Sequence, residues 1–424
     1  TQRIADIAKA HQMQICGANC MGFVNVEAQL QMTGFPFASL EKSGHIGLIS
    51  HSGSTWSGIV GNLRHMRFNT AISAGQELAT GVAQYMDFLI SQASTRVIAL
   101  VLETVRQPEP FIAALDKASA AGIAVVALKL GRSEKGQYFA KSHSGAMSGS
   151  ADVFDVIFKR HGVIAVHTLD ELMDTAELLA APRRPHTPAI ALGCDSGGER
   201  QLIVDIAEPL DLEFAKLHPT TLEHLATLLS PGVEAINPLD YWGDGQDVMA
   251  DTLITMAQDN AVGTVVMATN MAQGQDFMYD CCRALEKTWQ STTKPVVLMG
   301  NVSATMSPIE CNKFRDKGIP VLMGTQTALL ALSHYGQFIK AQQHKTIQTS
   351  QSKQGDLKTV SSTIPIYKIN YWKDVLKGTA QAGETLQSFE LLKDFSIPTA
   401  NSVSTTDWDQ ALAFAHRVGY PLVA

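Results

Sequence analysis

The sequence has 424 residues, of which 45% are hydrophobic and 17% charged, and its formal net charge is −7 at pH 7. This length predicts two to four domains, and the composition is typical of a soluble globular protein. The negative charge argues against nucleic acid or an anionic membrane as the main partner. Neither a long apolar run nor a signal peptide is found, so we expect a cytoplasmic location. The six cysteines are irregularly spaced, which favours reduced thiols over a zinc site.

The first residues are typical of the end of an α/β domain. Ile4, Ile7 and Ala8 recur at helical spacing and predict an amphipathic helix over residues 1–12. A strand over 13–16 and a glycine-bounded loop over 17–22 are predicted to follow. We therefore expect residues 1–41 to be the C-terminal remnant of a domain whose beginning is absent.

Strands and helices then alternate from residue 46 to about residue 181. The strands are predicted at 46–49, 70–73, 97–102 and 124–130. Such continuously apolar strands are typical of a parallel sheet that is covered by helices on both faces. Functional loops of such sheets lie at the carboxyl ends of the strands. The segments expected to share that edge are 50–55, 75–77, 103–106 and 131–149.

Residues 141–149 contain one imidazole, that of His143, among three serines and two glycines. No bulky apolar residue precedes Met147 in this segment, so we predict a loop that leads into a helix. A neutral imidazole on such a loop can accept a phosphoryl group near pH 7. The competing interpretation is a surface histidine in a Gly/Ser connector.

A proline-rich linker over 182–188 separates this unit from a second region of strand–helix alternation over 189–340. Its strands are predicted at 189–192, 262–268, 294–299 and 319–323. Both units place a Ser/Gly turn before their first helix, so we predict two similar folds in tandem. Residues 341–366 are rich in Gln, Ser, Thr and Lys and predict a flexible linker. Two helices and a strand over 367–424 begin a further α/β domain without completing it.

Several residues in these turns are candidates for binding phosphate. Unpaired N–H groups and a partial positive charge at a helix N-terminus favour an anion. The phosphate-binding candidates are Ser52, Gly53 and Ser54 in the first turn, Ser196, Gly197 and Gly198 in the second, and Ser144 and Gly145 beside the histidine. Each turn alone is common in α/β proteins, but two such turns and a histidine together favour a phosphoryl site that needs no metal.

Two carboxylates are expected at the same edge as the histidine. Glu103 ends a buried strand, where an unpartnered carboxylate is costly. By accepting a hydrogen bond from one nitrogen of His143, Glu103 would fix the tautomer and leave the other nitrogen free to attack. Glu77 is a second candidate, and a surface glutamate is the competing interpretation for either. In the second unit, Asp240 and Trp242 lie on a loop whose indole could stack on an acyl group, hold a cation or anchor the loop.

These motifs resemble the NDP-forming (ADP-forming) acyl-CoA synthetases of the succinyl-CoA synthetase superfamily. The segments that carry the resemblance are 131–136 and 142–146 around the histidine, 50–53 and 196–198 at the turns, Glu103, and 237–240. Residues 17–22 resemble the end of the family's CoA-binding domain, and 389–424 resemble the opening of its ATP-grasp domain. Ala18, His51 and Ser144 replace a usual proline, glutamine and threonine.

The resemblance implies an α/β fold of tandem flavodoxin-like or Rossmann-like parallel-sheet domains, with partial flanking domains. The implied boundaries are 1–41 for the CoA-binding remnant, 42–181 for the phosphohistidine domain, 189–340 for the second flavodoxin-like domain and 367–424 for the truncated ATP-grasp domain. Most of the ATP and Mg2+ site would then lie in the missing part of the ATP-grasp domain, so the fragment is expected to be inactive alone. A cytoplasmic homodimer is expected.

The resemblance also implies a relay of three transfers. ATP phosphorylates His143, the phosphoryl group passes to a carboxylic acid, and the CoA thiol displaces phosphate from the acyl-phosphate. Asn19 and Cys20 would bind CoA. The acid would contact Glu77, Asp240 and Trp242, and no residue is assigned to a metal.

Three other functions are compatible with the same residues. An ATP-dependent dimethylsulfoniopropionate lyase of the superfamily forms the thioester and then eliminates dimethyl sulfide, and Trp242 would hold its sulfonium. A non-catalytic CoA-binding module would keep the fold without a phosphohistidine. An α-subunit-like chain would depend on a separate ATP-grasp subunit, which the ATP-grasp-like residues 389–424 argue against.

Overall fold

The computed structural model describes residues 2–36, 42–144, 151–241, 246–352, 366–378, 385–395 and 397–419. The chain forms two compact units, Thr1–Thr349 and Ser350–Ala424. Within the described ranges, every helix is too short or too polar to cross a lipid bilayer.

The first sheet of the larger unit has seven strands. They are β1 (Gly22–Asn25), β2 (Leu30–Thr33), β3 (Ile46–Ser50), β4 (Phe68–Ser73), β5 (Val97–Leu102), β6 (Ala124–Lys129) and β7 (Ile164–Val166). Their spatial order is β2-β1-β4-β3-β5-β6-β7. Strands β3 to β7 are parallel, and the antiparallel β1–β2 hairpin extends the sheet beyond β4. The parallel part has the strand order of flavodoxin-like folds.

Seven helices accompany this sheet within the described residues. They are α1 (Gln2–Ala10), α2 (Gly53–Val60), α3 (Val82–Ser91), α4 (Pro108–Ala120), α5 (Glu134–Ser144), α6 (Ala151–His161) and α7 (Leu169–Ala180). Every residue of β3, β4, β5 and β6 is buried, which explains the entirely apolar sequence of β5. Strand β4 also buries the polar residues Asn69, Thr70 and Ser73.

The second sheet repeats the topology of the parallel part of the first. Its strands are β8 (Ile190–Cys194), β9 (Leu239–Asp240), β10 (Thr264–Thr269), β11 (Val296–Gly300) and β12 (Val321–Met323). They are parallel and lie in the order β12-β11-β10-β8-β9, which is again flavodoxin-like. The accompanying helices are α8 (Gly197–Ala207), α9 (Pro219–Leu228), α10 (Gln246–Gln258), α11 (Asp276–Ser291), α12 (Pro308–Asp316) and α13 (Thr325–Ser352). The predicted α/β class and the tandem of similar folds are confirmed.

One hydrophobic core spans both sheets. Leu48 of β3, Leu179 of α7 and Leu192 of β8 belong to the same buried cluster. Helix α7 contacts β5 and β6 of the first sheet and β12 of the second. The two sheets are therefore joined through this helix by continuous apolar packing.

A buried ionic network crosses the same interface. Arg64 Nη2 lies 2.5 Å from Asp174 Oδ1 and 2.8 Å from Glu177 Oε2, and it donates to the Val321 carbonyl oxygen at 3.2 Å. Arg315 Nε lies 2.8 Å from Glu177 Oε1. Burial raises the pKa of Asp174. Burial also opposes ionisation of Glu177, but the charges of Arg315 and Arg64 outweigh it and lower the pKa of that carboxyl.

The smaller unit contains helices α14 (Ile366–Gly378), α15 (Thr385–Asp394) and α16 (Trp408–Val418). Asp394 links the first two, because its carboxylate accepts from Lys368 Nζ at 2.5 Å and from Trp372 Nε1 at 2.9 Å. The two helices predicted near the end of the sequence correspond to α15 and α16. The sequence did not predict α14, and the strand predicted at the C-terminus lies outside the described residues.

Three predicted elements are wrong. Residues 13–16 form no strand, and the Ile15 N–H donates to Thr80 Oγ1 at 3.0 Å instead of to a neighbouring strand. The segment 141–144 is the end of α5 and not a loop, because no proline or glycine interrupts the helix after Gly136. Residues 341–352 are not a flexible linker but continue α13, since extending a helix that is already anchored costs little.

Candidate functional site

The candidate site lies at the carboxyl edge of the first sheet. From the adjacent strands β3 and β5 the chain proceeds in opposite directions, to β4 on one side and to β6 on the other. Ligands of open α/β sheets bind in the crevice at such a point. His51 directly follows β3, and Glu103 directly follows β5.

His51 is the centre of this edge and is only 7% exposed. Its Nε2 lies 3.0 Å from Glu77 Oε1, and its Nδ1 lies 3.1 Å from the backbone nitrogen of Glu103. A nitrogen that accepts from a backbone N–H carries no proton, so the geometry assigns the ring proton to Nε2, which donates to the Glu77 carboxylate. The imidazole therefore connects the segments that follow β3, β4 and β5.

Glu77 is held by a tightly packed loop. Its backbone has a φ of +51°, a conformation that is uncommon for a residue with a side chain. The neighbouring N–H groups of Gln76 and Leu78 donate to the carbonyl oxygens of Ala18 and Gly17, both at 2.8 Å. A Cβ atom on Gly75 would lie 2.2 Å from the Ala18 carbonyl oxygen, so only glycine allows this approach.

These contacts place the predicted CoA-binding residues at the same edge. Asn19 has a φ of +51° and lies against Gly75. The Cys20 thiol donates to the Cys16 carbonyl oxygen at 3.7 Å. Burial raises the pKa of the Cys16 thiol to about 11, so the thiol is protonated near neutral pH.

Lys129, the last residue of β6, lies near Glu103. Burial and the charge of Arg132 lower the pKa of Lys129, and the charge of Glu103 opposes that shift. Arg132 forms a bidentate pair with Asp155, with distances of 2.9 and 2.7 Å. A lysine at the end of an apolar strand is visible in the sequence, but the sequence analysis did not name Lys129 as a site candidate.

The two predicted anion turns have the same local geometry. Ser52 is the N-cap of α2, and its Oγ accepts from the Thr55 N–H at 3.3 Å. Ser196 is the N-cap of α8, and its Oγ accepts from the Glu199 N–H at 3.4 Å. Each helix then begins with Gly53 or Gly197. The first N–H groups of a helix have no acceptor inside it, so both turns keep the donors that an anion requires.

The carboxyl edge of the second sheet is acidic. Burial raises the pKa of Asp195 to about 6, and its Oδ2 accepts from Thr269 Oγ1 at 3.2 Å. A Cβ atom on Gly197 would lie 3.0 Å from Asp240 Oδ2, so the predicted Asp240 adjoins the second turn. The carboxylate of Glu199 accepts from two asparagine side chains at this edge. Asp195 and Glu199 are further site candidates that sequence reasoning missed.

The predicted residues thus divide between two edges. The first sheet carries Asn19, Cys20, Ser52, Gly53, Ser54, Glu77 and Glu103 at its edge, and the second carries Ser196, Gly197, Gly198 and Asp240. His143 lies in the last turn of α5. The side chains of His143 and Ser144, and all of Gly145 and Trp242, lie outside the described part of the structure. In the ranges that are described, no three His, Cys, Asp or Glu side chains are grouped as a metal site requires.

Comparison with known proteins identifies similar sequences. Residues 43–179 match the succinyl-CoA ligase like flavodoxin domain. A trans-feruloyl-CoA synthase from an unknown prokaryotic organism is 28% identical, over 99% of this chain and 58% of that protein. The α subunit of acetate–CoA ligase (ADP-forming) II from Pyrococcus furiosus is 32% identical, over 56% of this chain and 52% of that protein.

A third relative, the ADP-forming 4-hydroxybutyrate–CoA ligase of Nitrosopumilus maritimus, is 23% identical over 100% of this chain and 59% of that protein. The chain thus spans between 52% and 59% of the length of these relatives. Among solved structures, the dinucleotide-forming acetyl-coenzyme A synthetase 1 of Ca. Korarchaeum cryptofilum, in complex with phosphate and ADP, has the same fold. Its TM-score is 0.72 at 19% identity, over 82% of this chain and 75% of that one.

Proposed function

We propose that this chain belongs to the NDP-forming acyl-CoA synthetase family and carries the phosphohistidine of an ADP-forming acyl-CoA synthetase, which the flavodoxin domain match and the named relatives support. In this proposal, the protein joins a carboxylic acid to CoA and converts ATP to ADP and phosphate. The observation that carries the proposal is the domain match over 43–179, because this range contains both Glu103 and His143. The named relatives are ligases or synthases, which favours this function over a lyase.

The first proposed step is phosphorylation of His143. The lone pair of one ring nitrogen attacks the γ-phosphorus of ATP, the bond from that phosphorus to the β–γ bridging oxygen breaks, and ADP leaves. The proton on the other nitrogen stays in place, and Glu103 accepts it in a hydrogen bond that favours the attacking tautomer. Mg2+ would accompany the nucleotide and neutralise charge on its phosphates.

The helix N-termini would hold the transferred group. Ser52 and Ser196 cap helices whose first N–H groups lack intrahelical acceptors. Oriented N–H dipoles of this kind stabilise a phosphoryl group without a metal. Ser144 and Gly145 are proposed to contribute on the side of the histidine.

Two further transfers complete the proposed reaction. An oxygen of the acid attacks the phosphorus, the N–P bond breaks, and an acyl-phosphate forms while His143 recovers its lone pair. The CoA sulfur then attacks the carbonyl carbon, the C–O bond breaks, and inorganic phosphate leaves with the thiol proton. We assign Asn19 and Cys20 to CoA, and Glu77, Asp240 and Trp242 to the acid.

A phosphorylation assay tests this proposal. The full-length protein that carries this chain is incubated with Mg2+ and γ-labelled ATP, and separately with labelled phosphate, CoA thioester and no nucleotide. We expect an acid-labile, base-stable label from both directions, and loss of the label in His143→Asn. His224→Asn is the matched control, because His224 is an exposed residue of α9.

The outcome of this assay separates a phosphohistidine enzyme from a non-catalytic module. The absence of label in the wild-type protein from both directions would refute the phosphohistidine and favour a non-catalytic CoA-binding module. Thioester formation with acetate, 4-hydroxybutyrate and ferulate, the acids named by the relatives, then identifies the substrate class. The same proposal includes a cytoplasmic location and a homodimer, and sedimentation of the purified protein tests the homodimer.

A further inference from the structure

The pair formed by His51 and Glu77 is not explained by the transfers described above. Both side chains are buried, with exposures of 4% and 2%, and they lie 3.0 Å apart. We propose that His51 is a positioning residue that holds Glu103 in place for its action on His143, and that Glu77 orients the imidazole for this purpose. This inference rests on the proposed function.

The first argument concerns the backbone of Glu103. The β3–β5 ladder ends at the pair Ser50 and Val101, so Glu103 lies beyond the regular strand hydrogen bonds. Its N–H donates to His51 Nδ1 at 3.1 Å. The backbone of His51 is fixed as well, because its own N–H donates to the Val101 carbonyl oxygen at 3.0 Å. The imidazole thus supplies an acceptor where the sheet no longer does, and it fixes the backbone from which the Glu103 carboxylate projects.

The second argument concerns the orientation of the ring. A ring rotated by 180° would present Cδ2–H to the Glu103 backbone, and the other neutral tautomer would present an N–H there, in either case in place of the acceptor nitrogen. The Glu77 carboxylate prevents this, because it accepts only from a protonated nitrogen. Glu77 thereby keeps Nδ1 of His51 free to accept, which is the orientation that Glu103 needs.

The third argument concerns what holds Glu77. Its loop is anchored by two backbone hydrogen bonds to Gly17 and Ala18, which immediately precede the proposed CoA-binding residues. An unbroken series of contacts therefore runs from the segment 17–20 through Glu77 and His51 to Glu103. Displacement of the first segment would be transmitted to Glu103, whose carboxylate is proposed to act on His143.

The test uses three variants of His51 in the full-length protein. His51→Gln keeps an acceptor oxygen and a donor nitrogen in one planar group, and His51→Asn carries the same amide on a shorter side chain. His51→Leu removes both polar groups. Single-turnover phosphorylation of His143 by γ-labelled ATP is measured, with the KM for ATP and the unfolding midpoint of each variant.

We expect the phosphorylation rate of His51→Leu and His51→Asn to fall roughly 10- to 100-fold, because a misplacement of about 1 Å in a catalytic group costs about that factor. The KM for ATP should not change, and His51→Gln should recover most of the rate. If His51→Leu does not fold, the comparison of His51→Gln with His51→Asn decides alone. Equal rates in these two variants would overturn the positioning role.

Failure of this inference is distinguishable from failure of the proposed function. A wild-type protein that gives no label contradicts the phosphohistidine itself. A wild-type protein that is labelled, together with folded His51 variants that are labelled equally fast, contradicts only the positioning role. If the phosphorylation rates of the three variants decreased in proportion to their unfolding midpoints, His51 would have only a structural role.

Discussion

Replacement of Arg64 by methionine tests the ionic network between the two sheets. Arg64 pairs with Asp174 and Glu177, whose side chains are 0% and 9% exposed. Without Arg64, Glu177 keeps its pair with Arg315, whereas Asp174 keeps only the hydrogen bond from the Met323 N–H among the described residues. Breaking a buried pair in this way costs about 3–5 kcal/mol, because a buried charge is left without compensation. We expect Arg64→Met to lower the free energy of unfolding by that amount.

The pH dependence of the same variant has a defined sign. Burial already raises the pKa of Asp174, and loss of Arg64 removes the charge that opposes this shift. A carboxyl whose pKa is higher in the folded state than in the unfolded state destabilises the folded state least when it is protonated. The cost of Arg64→Met should therefore be largest near neutral pH and should decrease as the pH falls and Asp174 takes up a proton.

Urea unfolding followed by far-UV circular dichroism at several pH values measures this cost. Lys117→Met is the matched control, because Lys117 pairs with Asp87 at 2.8 Å but both side chains are about half exposed. An exposed pair of this kind contributes about 0.2–1 kcal/mol. If Arg64→Met cost no more than Lys117→Met, or if its cost were independent of pH, the reasoning about the buried carboxylate would be refuted.

Three further predictions concern stability and are measured by the same unfolding experiment. Burial opposes ionisation of Glu171, but hydrogen bonds from His334 and a backbone N–H outweigh this effect and lower the pKa of the carboxyl. The stabilisation by this carboxylate is therefore present above about pH 4.3 and is lost as the pH falls further. Glu171→Gln should cost about 1 kcal/mol at pH 7 and make the free energy of unfolding less dependent on pH under acidic conditions. Gly263→Ala should lower the free energy of unfolding by about 1–3 kcal/mol, because the new Cβ would lie 1.9 Å from a backbone carbonyl oxygen. In Gly58→Ala the new Cβ meets no atom within 4 Å, so this substitution should stabilise α2 by about 0.5–1 kcal/mol. Ser196→Ala should cost about 1 kcal/mol through loss of the α8 cap; an unchanged stability would contradict the capping geometry.

The sequence predicted the parallel strands well because their burial is complete. A strand such as Val97–Leu102, with every residue buried, has a continuous apolar sequence that no surface element shares. Short or polar segments were harder to assign. The run 13–16 is apolar enough for a strand, but it has no neighbouring strand to pair with, and the sequence does not encode that fact locally. The polar end of α13 is helical because of the buried residues that precede it, such as Leu332 and Tyr335.

The candidate site was predictable in its positions but not in its connections. Glu77 and Glu103 follow strands that the sequence places correctly, so their common edge could be inferred from the parallel topology. In the sequence His51 stands out only as the replacement of a glutamine, whereas the structure puts it between these two residues. Both of its hydrogen bonds join segments at least 26 residues apart, and pairings over such distances are set by tertiary packing. The functional assignments of the site residues remain predictions, and the phosphorylation assay addresses them.

The core that is shared by the two sheets limits how this protein can be divided or recombined. Residues 182–188 form a proline-rich connection between two similar folds. A connection of this kind usually marks a boundary at which two domains can be expressed separately. Because Leu48, Leu179 and Leu192 pack into one cluster, separation of the halves would expose apolar surface on both and favour aggregation. An exchange of the second half for that of a relative would also require matching side chains along α7. Chimeras with a relative should therefore exchange loops at the strand edges and leave the paired sheets intact.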